Sequence, residues 1–331
     1  MVSIMVAHPV KIVNNTGTAI SNYQQMVVAP MCNNCANASV SNVFWAYDPA
    51  GASIIPSWLE SQVGSTVAPT NTKSGSLIYW LNIAGTISAG ATQTVYMIFA
   101  DRGATVWDGT LTGIAPQWTS TYGQYDNGTA VFNVYLNFKG TTLPSGYLSA
   151  KSSDGTFTVN NGLIMGTSTL VSPSYSYFVS TSLYSPQLVE YYLASIIANP
   201  NKAGIIGTDL GFSSTTSPVP NNNYGSSSFY GCGIGSGVGN FIYMIFDNGL
   251  ISSINGTFVT GIYTTNINPL QYYLNYNLLT STTIAITTNL YLLLGIFSNG
   301  TQAASPQPEN ILVYWFRTRT NLSNGMPAVL F

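Results

Sequence analysis

The residues that could carry chemistry in this chain are few. It holds ten Asp+Glu, eight Lys+Arg, one His and three Cys among 331 residues. Retaining glycoside hydrolysis needs two carboxylates about 5–5.5 Å apart across a sugar ring. Glu60, Glu190 and Glu309 each lack a second acid within five residues, and Asp101 and Asp108 flank a loop with Gly103 between them. No paired acid is therefore written into one strand. His8, in "VAHPVK", is the sole histidine, and no Gly-x-Ser-x-Gly turn precedes a helix, so a nucleophile–histidine relay has no basis. These residues predict a chain that is not an enzyme and uses no cofactor.

Aromatic side chains beside a carboxylate can instead bind sugar. The stretch "APQWTSTYGQYDNGTAVF" (115–132) gathers Trp118, Tyr122, Tyr125 and Asp126, and the loop "NNNYGSSSFYGCG" adds Tyr224 and Tyr230. Calcium would want clustered Asp and Asn oxygens, which Asp126/Asn127 and Asp247/Asn248 offer by type. Both pairs precede Gly and read better as turns. The 115–130 stretch is expected to be a rigid interdomain joint, with Trp118 and Tyr122 packed in the interface and Asp126 holding the turn.

The "CNNC" loop offers Cys32 and Cys35, and Cys232 stands alone in "YGCGIG". A second CxxC and a second His are missing, so the usual zinc donor sets cannot be assembled along the sequence and no metal is expected. Cys32 and Cys35 form either a small structural disulfide, which is the expectation, or free thiols. Cys232 reads as a buried apolar residue. Asn14, Asn37, Asn127, Asn255, Asn299 and Asn321 sit in N-x-S/T sequons and are candidate glycosylation sites.

Charge is the odd feature. Only 5% of residues are charged, against roughly 25% in an ordinary soluble domain. The eight cations are scattered, which argues against nucleic acid as a partner. The most apolar runs, 95–100, 241–246 and 289–297, fall far short of the about 18 residues of a transmembrane helix. The opening "MVSIMVAHPV" has neither the basic nor the apolar region of a signal peptide. A surface of Ser, Thr, Asn, Gln, Tyr and Gly stays hydrated without carboxylates and offers little repulsion against self-association. The apolar segment 2–13 has anchors at Ile4, Val6, Val10 and Val13. It is either a strand donated to a neighbouring subunit or the first strand of its own domain.

These residues must be positioned by strands. Period-two or continuous runs of β-branched and aromatic residues, bounded by Gly, Pro, Asn and Ser, recur throughout. Asn161-Gly162, Asn248-Gly249 and Asn255-Gly256 read as hairpin turns. A sustained helical period is absent, and one short helix near 188–198 is the most the pattern admits. The expected class is all-β, two tandem β-sandwiches, Ig-like then jelly-roll. The expected layout is an N-terminal extended segment 1–13, a sandwich 14–114, a joint 115–130 and a jelly roll 131–331.

The run "YQQMVV…VSNVFWAYDPAGASIIPSWLES…YWLNIAGTISAGATQTVYMIFA", followed by "IAPQWTSTYGQYDNGTAVF", resembles a domain of unknown function in surface and secreted proteins of thermophilic archaea. The second half, with "NFKGTTLPSGY", "GTFTVNNGLIM", "LVEYYLAS" and "ILVYWFRTR…NGMPAVLF", resembles a concanavalin/laminin-G-like jelly roll. Composition and layout also resemble archaeal extracellular filament subunits. The resemblances imply an extracellular or cell-surface location and a β-rich tandem, without a characterised chemistry. The expected function is a structural subunit of a filament or surface layer, self-associating by β-strand addition. A carbohydrate-binding adhesin module, with surface glycans as partners, is the alternative.

Overall fold

The computed structural model describes residues 3–63, 68–70, 75–167, 174–185, 187–197, 206–218, 228–237, 239–246, 249–255, 259–298, 309–322 and 326–331. The chain is all-β and divides into two compact units, Met1–Tyr135 with Leu322–Phe331, and Leu136–Asn321. The closing residues, expected within the jelly roll, thus belong with the first unit. There Ala328–Leu330 pairs antiparallel with Ile4–Val13.

The first unit is a sandwich. One sheet runs Ala328–Leu330, Ile4–Val13, Thr92–Ala100, Val43–Ala46, Ile54–Ile55; the other runs Ile20–Pro30, Ser76–Ile87, Ser57–Gln62, Thr112–Ile114. Side chains alternate across a strand, and the sequence obeys that period: Val10 and Ile12 are buried while Lys11 between them is exposed. Tyr23, Val27, Tyr79, Leu81, Val95, Met97 and Phe99 join them in one core, and the Trp45 and Tyr79 rings meet edge-on at 5.7 Å.

The second unit is a larger sandwich. Its first sheet runs Tyr147–Lys151, Ser174–Tyr184, Leu290–Ser298, Ile206–Ser213, Phe229–Gly237, Gly239–Phe246, Gly249–Asn255. The opposing sheet follows the order Thr156–Val159, Leu163–Thr167, Glu309–Arg319, Leu188–Ile197, Gly261–Ile267, Leu270–Leu274, Asn277–Ser281. Phe178 of one sheet meets Phe316 of the other at 5.1 Å, and the Thr265 hydroxyl donates to the Leu210 carbonyl across the same interior. Tyr191, Tyr263 and Tyr272 stack beside them. Cys232 is buried there as the sequence suggested, and burial pushes its thiol well above the ordinary pKa.

The run 187–196 carries a strand signal in the sequence, with a short helix near 188–198 as the most the pattern admits, and it resolves as a strand. The segment near 188–198 is the strand Leu188–Ile197, hydrogen-bonded on one side to Glu309–Arg319 and on the other to Gly261–Ile267. The only α-helical turn among the described residues is Gly128–Val131. Asn161 and Gly162 both take positive φ in the turn joining Thr156–Val159 to Leu163–Thr167, as an Asn-Gly turn requires. Residues 247–248 and 256–258, which hold the other two expected turns, lie outside the described residues.

Candidate functional site

The stretch 115–132 is built into the first unit's own body. Asp126 Oδ1 accepts from Trp58 Nε1 at 2.8 Å and from the Gly128 amide at 3.2 Å, and Tyr135 OH donates to both carboxylate oxygens at 3.0 Å. Trp118 Nε1 donates to the Glu60 carbonyl, while Glu60 Oε2 accepts from Trp80 Nε1 at 2.9 Å. Trp118 and Tyr125 pack against the first unit's core, and Tyr122 is half-buried. Asp126 therefore holds its turn as expected, but its aromatic neighbours anchor onto this unit rather than forming an open sugar platform. Asp108 is also a loop-former, its Oδ1 accepting the amides of Thr110, Leu111 and Thr112.

Several sequence-based assignments change. Asn14 is fully buried, its amide donating to the carbonyls of Thr18, Ile87 and Ser88, and Asn127 is buried with its amide on the Ser57 carbonyl. A glycan on either Nδ2 would have to displace these bonds and the surrounding core, so neither is an acceptor in the folded chain. The Asn37 amide donates to Ser41 Oγ and the Ala104 carbonyl, and that of Asn321 to Asn266 Oδ1 and the Asn268 carbonyl. Asn299 lies outside the described residues, as do Tyr224, Asp247 and the side chains of Asn255 and Glu309. The segment holding Ile4, Val6, Val10 and Val13 is a strand of its own sheet, paired along its length with Thr92–Ala100. Donation to a neighbour would require it to leave that sheet. Cys32 and Cys35 are joined by a disulfide, and the His8 ring nitrogen comes within 4.8 Å of both sulfurs.

The second unit holds two further buried acids, both missed as sites by sequence reasoning. Glu190 is fully buried on the outer side of the Leu188–Ile197 strand, opposite the face where Tyr191 enters the sandwich. Its Oε2 accepts from Arg317 Nε at 2.6 Å, and its Oε1 accepts from Arg319 Nε and Thr264 Oγ1, each at 3.0 Å. Arg317 is itself buried over the Trp315 ring at 4.3 Å and donates to Tyr276 OH. Burial works to raise the Glu190 pKa, but the two guanidiniums outweigh it and hold the carboxyl below its ordinary value. Its oxygens are taken by three donors, so Glu190 is built to be an ion pair rather than a proton donor.

Asp209 has a different setting. It too is fully buried, on the Ile206–Ser213 strand. Leu210 next to it pairs with Cys232, whose sulfur reaches the Gln271 carbonyl of the opposing sheet, so that face is the interior and Asp209 lies on the sheet's outer face. Register places it opposite Gly295 on one side and Gly233 on the other. The same-face residues along its own strand are Gly207 and Gly211, whose partners are Gly235 and Gly231 toward one edge and Phe297 and Leu293 toward the other. Six of the eight nearest positions on this face are thus glycine. The lane is bordered by a buried cluster of Tyr177, Val179, Phe229, Leu293 and Phe297, in which Tyr177 and Phe297 stack at 5.9 Å and the half-buried Tyr175 stacks on Tyr177 at 5.8 Å. A Cβ on Gly295 would stand 2.5 Å from the Phe297 ring, and one on Gly231 would stand 2.8 Å from Phe229. The glycines are the seats on which the rings lie. Tyr177, on the same row as Gly295 and Asp209, has its phenol pKa raised by burial and by Tyr175, so it remains a neutral hydrogen-bonding group. At the end of this sheet Asp154 Oδ1 accepts from Ser152 Oγ at 2.7 Å and Ser174 Oγ at 3.0 Å. The period-two glycines of "GTDLG" and "GCGIGSG" were the available signal, because they strip one face of two strands.

Comparison with known proteins matches no family model. A stretch of 118 residues, 35% of this chain, is 30% identical to Uncharacterized protein 562 of Sulfolobus islandicus rod-shaped virus 1, of which it spans only 19%. Among solved structures, similarity extends to the carbohydrate recognition domain of Emp47p (TM-score 0.39, 9% identity, 56% of this chain and 92% of that one). It extends also to a β-glucanase of Bacillus licheniformis (TM-score 0.39, 14% identity, 57% and 98%) and to a native glycosidic hydrolase (TM-score 0.40, 13% identity, 59% and 97%). The expectation that the chain is not an enzyme is corrected here, since glucanases stand beside recognition domains among these neighbours and the architecture excludes neither class. The fold that the described residues show is an all-β sandwich.

Proposed function

We propose that the second unit is a carbohydrate-recognition module, and that the Asp209 lane on its seven-stranded sheet is where a sugar chain lies. The observation that carries this reading is a carboxylate ringed by glycines and bordered by the Tyr175–Tyr177–Phe297 row. Sugar rings present apolar C–H faces that pack on aromatic rings and hydroxyls that donate to carboxylates. Glycine lets a flat ligand approach the backbone closely. The protein is assigned to an extracytoplasmic setting, a placement favoured by the Cys32–Cys35 disulfide. Calorimetric titration of the purified chain with a panel of neutral oligosaccharides tests the function. Binding that Asp209→Asn weakens supports it, and no binding by any member of the panel, or equal binding by the variant, refutes the site.

A second reading, a self-assembling surface or filament subunit, is favoured by one observation. The edge of Ile4–Val13 away from Thr92–Ala100 is paired only at Lys11–Val13, so Ile4–Val10 has no partner on that side among the described residues. In so weakly charged a chain, such an edge is open to strand addition. Negative-stain microscopy should then show ordered fibres that Met5→Lys, a charge on an exposed edge residue, suppresses.

A further inference from the structure

We infer that His8, Cys32 and Cys35 form a redox-gated site for a thiophilic metal ion. Along the sequence these residues looked like an incomplete donor set, because a single CxxC with one distant histidine is no zinc motif. The fold supplies what the sequence spacing lacks. His8 comes from the strand Ile4–Val13 and the cysteines from the loop after Ile20–Pro30, and the three ligand atoms lie within 4.8 Å of one another. A tetrahedral ion with Zn–S of about 2.3 Å and Zn–N of about 2.0 Å needs donors roughly 3.5–3.8 Å apart. That is reached by small side-chain rotations once the sulfurs are no longer bonded.

The loop does not depend on the disulfide for its shape. The amides of Cys35 and Ala36 both donate to the Cys32 carbonyl, closing the turn through the backbone. Asn42, fully buried, donates through its side-chain amide to the Cys35 and Ala100 carbonyls and accepts from the Asn37 backbone N–H. Reduction would therefore leave two thiols on a loop already held in place. On the other side the His8 ring meets Phe99 edge-on at 5.7 Å, which sets its orientation, while the ring itself is exposed and leaves an entry path. Both cysteines pack against the first unit's core, so the sulfurs sit half-shielded from water.

The chemistry balances with an external dithiol as reductant. Two electrons and two protons pass from the dithiol to the Cys32–Cys35 bond, giving two thiols and a cyclic disulfide. A divalent soft cation then binds both sulfurs as thiolates and the neutral imidazole through its lone pair, releasing two protons. One coordination position remains for water. An oxidising disulfide runs the sequence backwards and expels the ion. The same three residues thus hold either a covalent clasp or a metal, never both.

Cobalt(II) is a direct probe, because thiolate ligation gives a charge-transfer band and tetrahedral geometry gives intense visible absorption. The full chain carrying Cys232→Ala, reduced with a phosphine that is then removed, should take up one cobalt per chain with both features. The oxidised chain should show neither. His8→Ala, at an exposed position, should weaken uptake by about tenfold or more, a loss at least as large as that from removing a supporting group around a metal. Cys35→Ser should abolish the charge-transfer band at one equivalent. No band in the reduced chain overturns the site, and equal affinity in His8→Ala overturns the role of the histidine.

Discussion

Glu190 and Asp209 are both fully buried carboxylates on the outer faces of the second unit's two sheets, and their surroundings are opposites. Glu190 sits among large side chains that consume it: two guanidiniums, a hydroxyl and the stacked Trp315 below. Asp209 sits where side chains have been removed, with glycine at six of eight neighbouring positions. A buried charge is tolerated only when partners offset its desolvation. At Glu190 the partners are arginines of the adjacent strand, and the result is a locked cross-strand clamp. At Asp209 the neighbouring positions are glycine, and the flanking rings pack beside them in a buried cluster. The two acids thus differ in what surrounds them, although neither burial nor residue type separates them.

The comparison can be broken most forcefully at Glu190. Glu190→Gln strands a buried guanidinium and should cost about 3–5 kcal/mol in denaturant unfolding, while the folded fraction keeps its sugar affinity. A shared loss of affinity would mean that the two acids are not separate devices. The same variant carries a pH signature. Because the folded pKa of Glu190 lies below its ordinary value of 4.5, its stabilising contribution is present above that value. It is lost as acid titrates down toward the depressed folded pKa. Glu190→Gln should remove that part of the acid destabilisation, as read from melting temperatures across an acid series.

Next in size are the glycines. Gly211→Val places a branched side chain at φ +155 with its Cβ 2.4 Å from the Tyr230 carbonyl, and Gly295→Ala drives a methyl into Phe297. Each should cost roughly 1–3 kcal/mol by overpacking, and Gly295→Ala should also weaken ligand binding by displacing the ring. Asp209→Asn removes the charge while keeping the shape. It should lower affinity by about 10–100-fold, the scale of a lost charge-assisted hydrogen bond. The smallest effect belongs to Tyr175→Ala at the half-exposed end of the ring row. A loss of about 0.5–1.5 kcal/mol in binding and none in fold is expected.

How much of this was legible differs residue by residue. The alternation of Val10 and Ile12 about Lys11 announced a half-buried strand without help. "LVEYYLAS" read as a strand but left a short helix open beside it, because a short run of mixed apolar residues fits either. Only its two hydrogen-bonded neighbours decided the matter. Asn14 read as a sequon because the motif is three residues long, whereas its amide is consumed by carbonyls more than seventy residues away. Asp126 was read as a turn-former from its Asn-Gly neighbours, and its carboxylate does accept the Gly128 amide. Its indole partner, Trp58, lies sixty-eight residues upstream. Glu190 carried no local signal at all, since Arg317 and Arg319 lie far down the chain.

The sequence by itself determined an all-β chain with a hairpin turn at Asn161-Gly162, a core of β-branched and aromatic residues, and a composition nearly without charge. These follow from backbone preference, period-two patterning and composition, all of which act within a few residues. The tertiary structure alone decided which strands became neighbours. That choice joined Glu190 to its arginines, ringed Asp209 with glycines from three strands, and brought His8 to the cysteine pair. Those groupings depend on the pairing and register of strands distant in sequence, where a shift of one residue turns every side chain to the other face.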